Sequence, residues 1–69
     1  MFLLVDHHGE LLGRFENEEQ AFDSLAHAVD VEPEHAEDFG VVEVDDHGRR
    51  RAGPWVWRDG AVFEEHAHA

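Results

Sequence analysis

The chain has 69 residues, of which 17 are acidic and five are basic, and its formal net charge is −12. A chain of this length supplies one domain, which buries only about 60% of the surface that its unfolded form exposes. Its negative field repels polyanions, so neither general nucleic-acid binding nor binding to anionic membranes is expected. The chain contains no cysteine, which excludes disulfides and thiolate chemistry.

The composition offers two explanations for this acidity. The chain lacks Lys, Ile, Tyr and Thr and is rich in Ala, Val, Asp, Glu, Arg and His, a bias typical of a GC-rich genome. An excess of carboxylates is also typical of proteins from salt-loving organisms. The acidic surface therefore reflects either habitat or selection for a partner.

One five-residue turn pattern occurs twice, at residues 5–9 and 44–48, each time after an apolar run. Asp and His tolerate turn conformations and Gly supplies a positive φ, so both copies predict β-hairpin turns. The first joins a strand over Phe2–Val5 to one over Leu11–Phe15, where Gly13 indicates a bulge or a close approach. The opening apolar run is too short for a membrane span or a signal-peptide core, which predicts a cytoplasmic protein.

A helix is predicted to begin after Asn17. Asn17 is a favourable N-cap, Gln20 completes a capping box, and the acidic residues between them suit the positive end of the helix dipole. We expect the helix to end near Asp30 and a short second helical turn to run from Pro33 to Asp38. The predicted buried stripe, at helical spacing, is Phe22, Leu25, Ala26 and Val29.

The second half of the chain predicts a strand, a turn, a break and a final hairpin. In order these are Val41–Asp45, the second turn pattern, Gly53-Pro54, and Trp55–Trp57 joined to Ala61–Phe63 by Asp59-Gly60. Alternation along the first of these strands directs Val42 and Val44 to the core. The predicted fold is one α+β domain over residues 1–65, with a small antiparallel-rich sheet, one main helix on one face and the order ββαβββ. Residues 66–69 are predicted to form a frayed polar tail.

Strand one is apolar on both faces, yet a single helix covers only one face. The C-terminal hairpin adds large aromatic side chains and is locally basic, because residues 49–60 carry four arginines and one aspartate, a net +3. These side chains either complete a thin core or form a contact surface. The leading hypothesis is a protein-interaction module, alone or as a homodimer, that combines the second sheet face with this hairpin. Its predicted contact residues are Arg49, Arg50, Arg51, Trp55, Trp57 and Arg58.

The alternative hypothesis is an acidic inhibitor or nucleic-acid mimic, similar to phage-encoded inhibitors and antitoxins. Its carboxylates would occupy a basic groove on an enzyme and so raise the association rate. The predicted acidic surface is Glu18, Glu19, Asp23, Glu34, Glu37 and Asp38.

Metal binding and catalysis are not expected, and no cofactor is predicted. Asp6, His8, Asp45 and His47 are the candidate metal ligands, but they converge only if both turns lie at the same end of the sheet. A single helical crossing makes strands two and three parallel and separates the turns. The one serine, Ser24, lies inside the predicted helix with no nucleophile motif around it.

Overall fold

The computed structural model describes residues 1–6 and 8–65 and confirms the predicted α+β fold and the order ββαβββ. The five strands form one sheet in the order β2-β1-β3-β4-β5, and every neighbouring pair is antiparallel. The predicted tail at 66–69 lies outside the described residues. The elements are β1 (Phe2–Val5), β2 (Leu11–Phe15), α1 (Glu18–Val31), a 3₁₀ helix (Pro33–Asp38), β3 (Gly40–Val44), β4 (Arg50–Arg58) and β5 (Ala61–Glu64).

The two copies of the turn pattern adopt the same hydrogen-bonded structure. In the second turn, the Asp45 carbonyl accepts the Gly48 N–H at 3.0 Å, and Asp45 Oδ1 accepts the N–H groups of His47 and Arg49, each at 2.9 Å. The first turn repeats this arrangement around Asp6, with distances of 2.9–3.0 Å. The repetition therefore reflects the chemistry of an aspartate-anchored turn.

The third turn, at Asp59-Gly60, is of a different type. Both residues have positive φ, 54° and 79°, as a two-residue type I′ hairpin turn requires. This turn pairs β4 with β5 without a register shift, so the sheet continues to its last described strand.

The predicted N-cap of α1 is confirmed, because Asn17 Oδ1 accepts the Gln20 N–H at 2.9 Å. The helix buries Leu25 and Val29, as the apolar stripe predicts, together with Ala21, which the prediction omitted. No helix in the described part of the chain is long and apolar enough to cross a membrane.

The core lies between α1 and one face of the sheet, which we call the helix side. Trp55 covers part of this core, with ring centroids 6.0 Å from Phe2 and 5.5 Å from Phe22. Ala36 of the 3₁₀ helix packs against the same core, so both helices lie on this side. The core cluster consists of Leu4, Ala21, Leu25, Val29, Phe39 and Val41.

The predicted orientation of β3 is wrong for Val42. Val41, paired with Leu4 on the helix side, is fully buried, whereas Val42 pairs with Leu3 on the opposite face. Directly paired residues of antiparallel strands share a face, and successive residues alternate. Sequence alternation gave a period of two, but only the pairing with β1 fixes which valine enters the core.

The predicted break at Gly53-Pro54 is also wrong, because β4 continues through this pair, whose peptide bond is cis. Pairing with β3 shifts register between Val41 and Glu43 and again between Glu43 and Val44. These shifts accommodate extra residues of β4 as bulges, so the strand continues where glycine and proline usually end one.

Candidate protein-interaction surface

The two aspartate-anchored turns lie at opposite ends of the sheet. The first follows β1 and the second follows β3, which runs antiparallel to β1. The candidate metal ligands Asp6 and His8 are thereby separated from Asp45 and His47, because each pair belongs to a different turn. The structure does not bring these four residues together.

Two other histidines line one groove on the helix side. His27 and His35 border a hollow of about 530 Å³ together with Val31 and Phe39. His35 Nδ1 lies 3.0 Å from Asp38 Oδ2, which gives that histidine a carboxylate partner. Among residues 1–6 and 8–65, no three His, Asp or Glu side chains form a group that could hold a metal ion.

The predicted Arg/Trp contact surface is divided between the two faces of the sheet. Trp55 and Trp57 are partly buried and pack against the core from the helix side. Arg58 ends β4, where it pairs with Ala61, and it lines a hollow on the helix side together with Trp57 and residues of the 3₁₀ helix. Arg50 lies on the opposite face, because it pairs with Val44. The tryptophans thus complete the core, and the arginines remain on the surface.

The face opposite the helices, which we call the open face, is defined by strand pairing. Leu3 pairs with Arg14 on one side and with Val42 on the other, so these residues share the face. Within the described residues, no helix packs over it. Its principal apolar side chains are Leu3, Val5, Val42, Val44, Val56 and Phe63, of which Val44 and Val56 are buried.

An apolar row crosses all five strands of the open face. The pairs run from Leu11 through Val5, Gly40 and Val56 to Phe63. The ends of the row are the most accessible, since Leu11 is 42% exposed and Phe63 is 51% exposed. Gly40 presents no side chain at the centre. The centre of the row is buried at Gly40 and Val56, and an aliphatic group at one end and an aromatic ring at the other are accessible.

Charged side chains at the paired strand positions of the open face are all arginines. Arg14 lies on one side of the apolar row, beside Leu3. Arg50 lies farther along the face. A chain with a net charge of −12 thus has one sheet face whose strand positions are apolar or cationic.

These arginines are free of internal ion pairs. Among the described residues, no arginine has a carboxylate oxygen within 4.0 Å, and the ion pair found there joins His35 to Asp38. Arg14 and Arg50 are exposed. Their guanidinium groups are therefore available to carboxylates of another molecule.

One end of the open face carries a hollow of about 370 Å³, where acidic residues of the second turn meet the strands. It lies among Leu3, Arg14 and Val44, and Asp45 and Asp46 form part of its wall. The pKa of Asp45 is lowered, chiefly because its carboxylate accepts the Arg49 N–H. Desolvation raises this pKa, whereas the His47 N–H and the charge of Arg51 lower it further. Asp45 is therefore charged at neutral pH, and its carboxylate accepts hydrogen bonds from its own turn.

The predicted acidic surface lies on the helices, away from the open face. Glu18, Glu19 and Asp23 belong to the first half of α1 and are exposed. The other three, Glu34, Glu37 and Asp38, line a hollow of about 510 Å³ between the 3₁₀ helix and the end of β4, which Arg58 also borders. The structure therefore places the predicted carboxylates in two patches along the helix side.

Sequence reasoning missed four residues of the open face. Arg14, Gly40 and Val42 were not linked to a surface, and Leu11 was assigned only to its strand. The one signal that pointed to this face was strand one, where Leu3 and Val5 alternate with core residues. The missing information was the strand order, since only pairing brings Arg14 and Val42 beside Leu3.

Comparison of the chain with protein-family models, with curated proteins and with solved structures gave no match.

Proposed function

We propose that this chain is a non-enzymatic protein-interaction module that binds a partner protein on the open face of its sheet. The observation that carries the proposal is the exposure of Leu11 and Phe63 at the two ends of the apolar row on the open face. Both helices lie on the other side of the sheet. We propose that this module acts in the cytoplasm.

The accessible groups on this face are of the kind that dominate binding energy. Phe63 offers a rigid aromatic ring, a type enriched where partners meet. Arg14 flanks the row, and arginine is also enriched among residues whose truncation weakens binding most. An apolar centre with charged groups at its rim is the usual arrangement of a protein interface.

The test compares two aspartate substitutions at apolar positions on opposite sides of the molecule. Val42→Asp puts a carboxylate on the open face, whereas Leu12→Asp puts one beside the helix-side groove, where Leu12 is 48% exposed. Each variant, once its fold is confirmed by circular dichroism, serves as bait in extracts of the source organism. Captured proteins are quantified by mass spectrometry against the unsubstituted chain.

We expect the unsubstituted chain and Leu12→Asp to capture the same partner in equal amounts. Val42→Asp should capture at least about tenfold less of it, since a buried unpaired carboxylate costs several kcal/mol. A folded Phe63→Ser variant should show the same loss. Equal capture by all folded variants would refute the open face as the binding surface.

A second candidate function is the acidic inhibitor or nucleic-acid mimic, favoured by the exposed carboxylates of α1. Glu18, Glu19 and Asp23 are all exposed on the first half of this helix. Replacing Glu18, Glu19 and Asp23 by amides should then lower the association rate and weaken capture at low salt. The corresponding open-face variants should have no effect, so the two functions are tested by different substitutions.

A further inference from the structure

The helix-side groove at the end of α1 contains two accessible apolar side chains. Leu12 of β2 and Val31 of α1 are both exposed, and both line its hollow of about 530 Å³. Neither residue is part of the core cluster. Folding therefore leaves the two side chains available to a ligand in this hollow.

A bulge in β2 directs Leu12 to this groove. Before the bulge, Leu11 pairs with Val5 on the open face. After it, Gly13 pairs with Leu4 on the helix side, so Leu12 is an extra residue between two regular pairs. Bulges of this kind change the direction of a side chain and are common next to functional sites.

The hollow has the size and lining of a small-molecule site. Its volume lies within the range of about 300–1,000 Å³ that is usual for such sites. Phe39, from the core, and Ala28 of α1 add to its apolar lining. Nine of the described residues line it, whereas a stable protein interface uses about 20–30 residues from each side. The hollow therefore matches a small molecule better than a protein surface.

The groups of fixed charge that line the hollow are all carboxylates. They belong to Asp6, Glu32 and Asp38, and the other polar side chains there are His27 and His35. The chain has no lysine, and none of its five arginines, all in the described part of the chain, lines this hollow. The hollow is therefore complementary to a positive charge.

Glu32 is the carboxylate best placed to pair with a ligand. Asp6 Oδ1 already accepts two backbone N–H groups of its own turn, and Asp38 Oδ2 lies 3.0 Å from His35 Nδ1. Glu32 is exposed between α1 and the 3₁₀ helix, and its side chain makes no capping hydrogen bond. Its carboxylate can therefore meet a cation without breaking a contact that holds the fold.

The end of α1 adds negative charge at the same place. The helix ends at Val31, directly before Glu32, and has no basic residue in its last turn. The C-terminal end of a helix dipole is equivalent to about half a negative charge and stabilises a nearby cation. The helix end and the Glu32 carboxylate thus favour the same kind of ligand.

We propose that this hollow binds a small organic cation, whose apolar body packs against Leu12 and Val31 and whose ammonium group pairs with Glu32. An amine with an aromatic or branched aliphatic body combines these groups. The site lies on the helix side, so the inference goes beyond the interaction proposed for the open face and does not depend on it.

The test compares three probes that share a benzyl group and differ in charge. Benzylamine is the cation, benzyl alcohol is neutral and phenylacetate is the anion. Each is titrated at about pH 8, where an alkylammonium group keeps its proton and an ordinary imidazole has lost it, in about 150 mM salt. Methyl NMR of Leu12, Ala28 and Val31 gives the Kd, with Leu3 and Val42 of the open face as the reference.

We expect saturable shifts at the groove methyl groups and almost none at the reference groups. Benzylamine should bind at least about fivefold more tightly than benzyl alcohol and at least about tenfold more tightly than phenylacetate. Glu32→Gln should weaken benzylamine at least about threefold and leave benzyl alcohol unchanged. Glu34→Gln removes the same charge beside the neighbouring hollow and should change the affinity by less than about 1.5-fold. Both glutamates are exposed, so both variants keep the fold.

Four results would overturn the inference. The site is refuted if no probe gives saturable shifts at the groove methyl groups. Benzyl alcohol or phenylacetate binding as tightly as benzylamine would refute the cation, and equal effects of Glu32→Gln and Glu34→Gln would refute the pairing. A captured partner lost from Leu12→Asp would assign the hollow to a protein. The open-face function is refuted by a different result, equal capture by all folded variants.

Discussion

Two neighbouring valines provide a direct test of which sheet face is buried. Val41 is fully buried on the helix side, and Val42 is only partly buried on the open face. Threonine has nearly the shape of valine, so Val41→Thr and Val42→Thr change little except one methyl group into a hydroxyl. Sequence alternation had directed Val42 to the core, and the structure directs Val41 there.

The expected effects differ because only one hydroxyl is removed from water. At Val41 an unsatisfied buried hydroxyl costs about 1–3 kcal/mol, a large part of the roughly 3–10 kcal/mol expected for a domain of this length. At Val42 the hydroxyl stays hydrated and threonine suits a strand, so we expect a change within about 0.5 kcal/mol.

Thermal unfolding followed by circular dichroism measures this difference. A domain of this size loses about 4–8 °C of Tm per kcal/mol. We therefore expect Val41→Thr to lower Tm by about 5–20 °C and Val42→Thr by less than about 4 °C. A Val42→Thr variant destabilised as much as Val41→Thr would refute the assignment of the open face.

Three further predictions concern the local structures that position this face. Asn17→Ala should lower the free energy of unfolding by about 0.5–2 kcal/mol, because the Gln20 N–H loses its acceptor; urea unfolding unchanged by the substitution would contradict the cap. Gly60→Ala should cost about 1–2 kcal/mol in the same assay, since φ is +79° there, and an unchanged midpoint would argue against the type I′ turn. The pKa of Asp45 is lowered below its ordinary value of 3.8, so its charge stabilises the fold above that pH, and this contribution is lost as the pH falls through the lower folded value. Asp45→Asn should therefore be less stable than the unsubstituted chain at pH 7, and the difference should shrink below pH 3.8; a difference independent of pH would contradict the assignment.

The elements that sequence reasoning predicted correctly are those whose signals are local. Asn17 caps a helix through the backbone three residues ahead, and Asp45 closes a turn through groups within four residues. The alternation of apolar residues in strands and their spacing in helices are also local signals, because they involve only residues close together in the sequence. Such signals identify elements without reference to the remainder of the chain.

The features that sequence reasoning missed depend on contacts between distant segments. Val41 enters the core because β3 pairs with β1, about 40 residues earlier in the chain. Pro54 stays inside a strand because bulges against β3 absorb the extra residues. The open face combines Arg14, Val42 and Phe63 from three strands, and no local pattern relates them.

The central claim, that the open face binds the partner, is tested most directly by methyl NMR of the labelled chain with a captured partner. The account predicts shifts concentrated in the methyl groups of Leu3, Val5 and Val42. Those of Leu25, in the core, and of Val31, which is 64% exposed on α1, should stay nearly constant. Shifts concentrated at Val31 while the open-face methyl groups stay constant would contradict the account and favour a binding surface on the helix side.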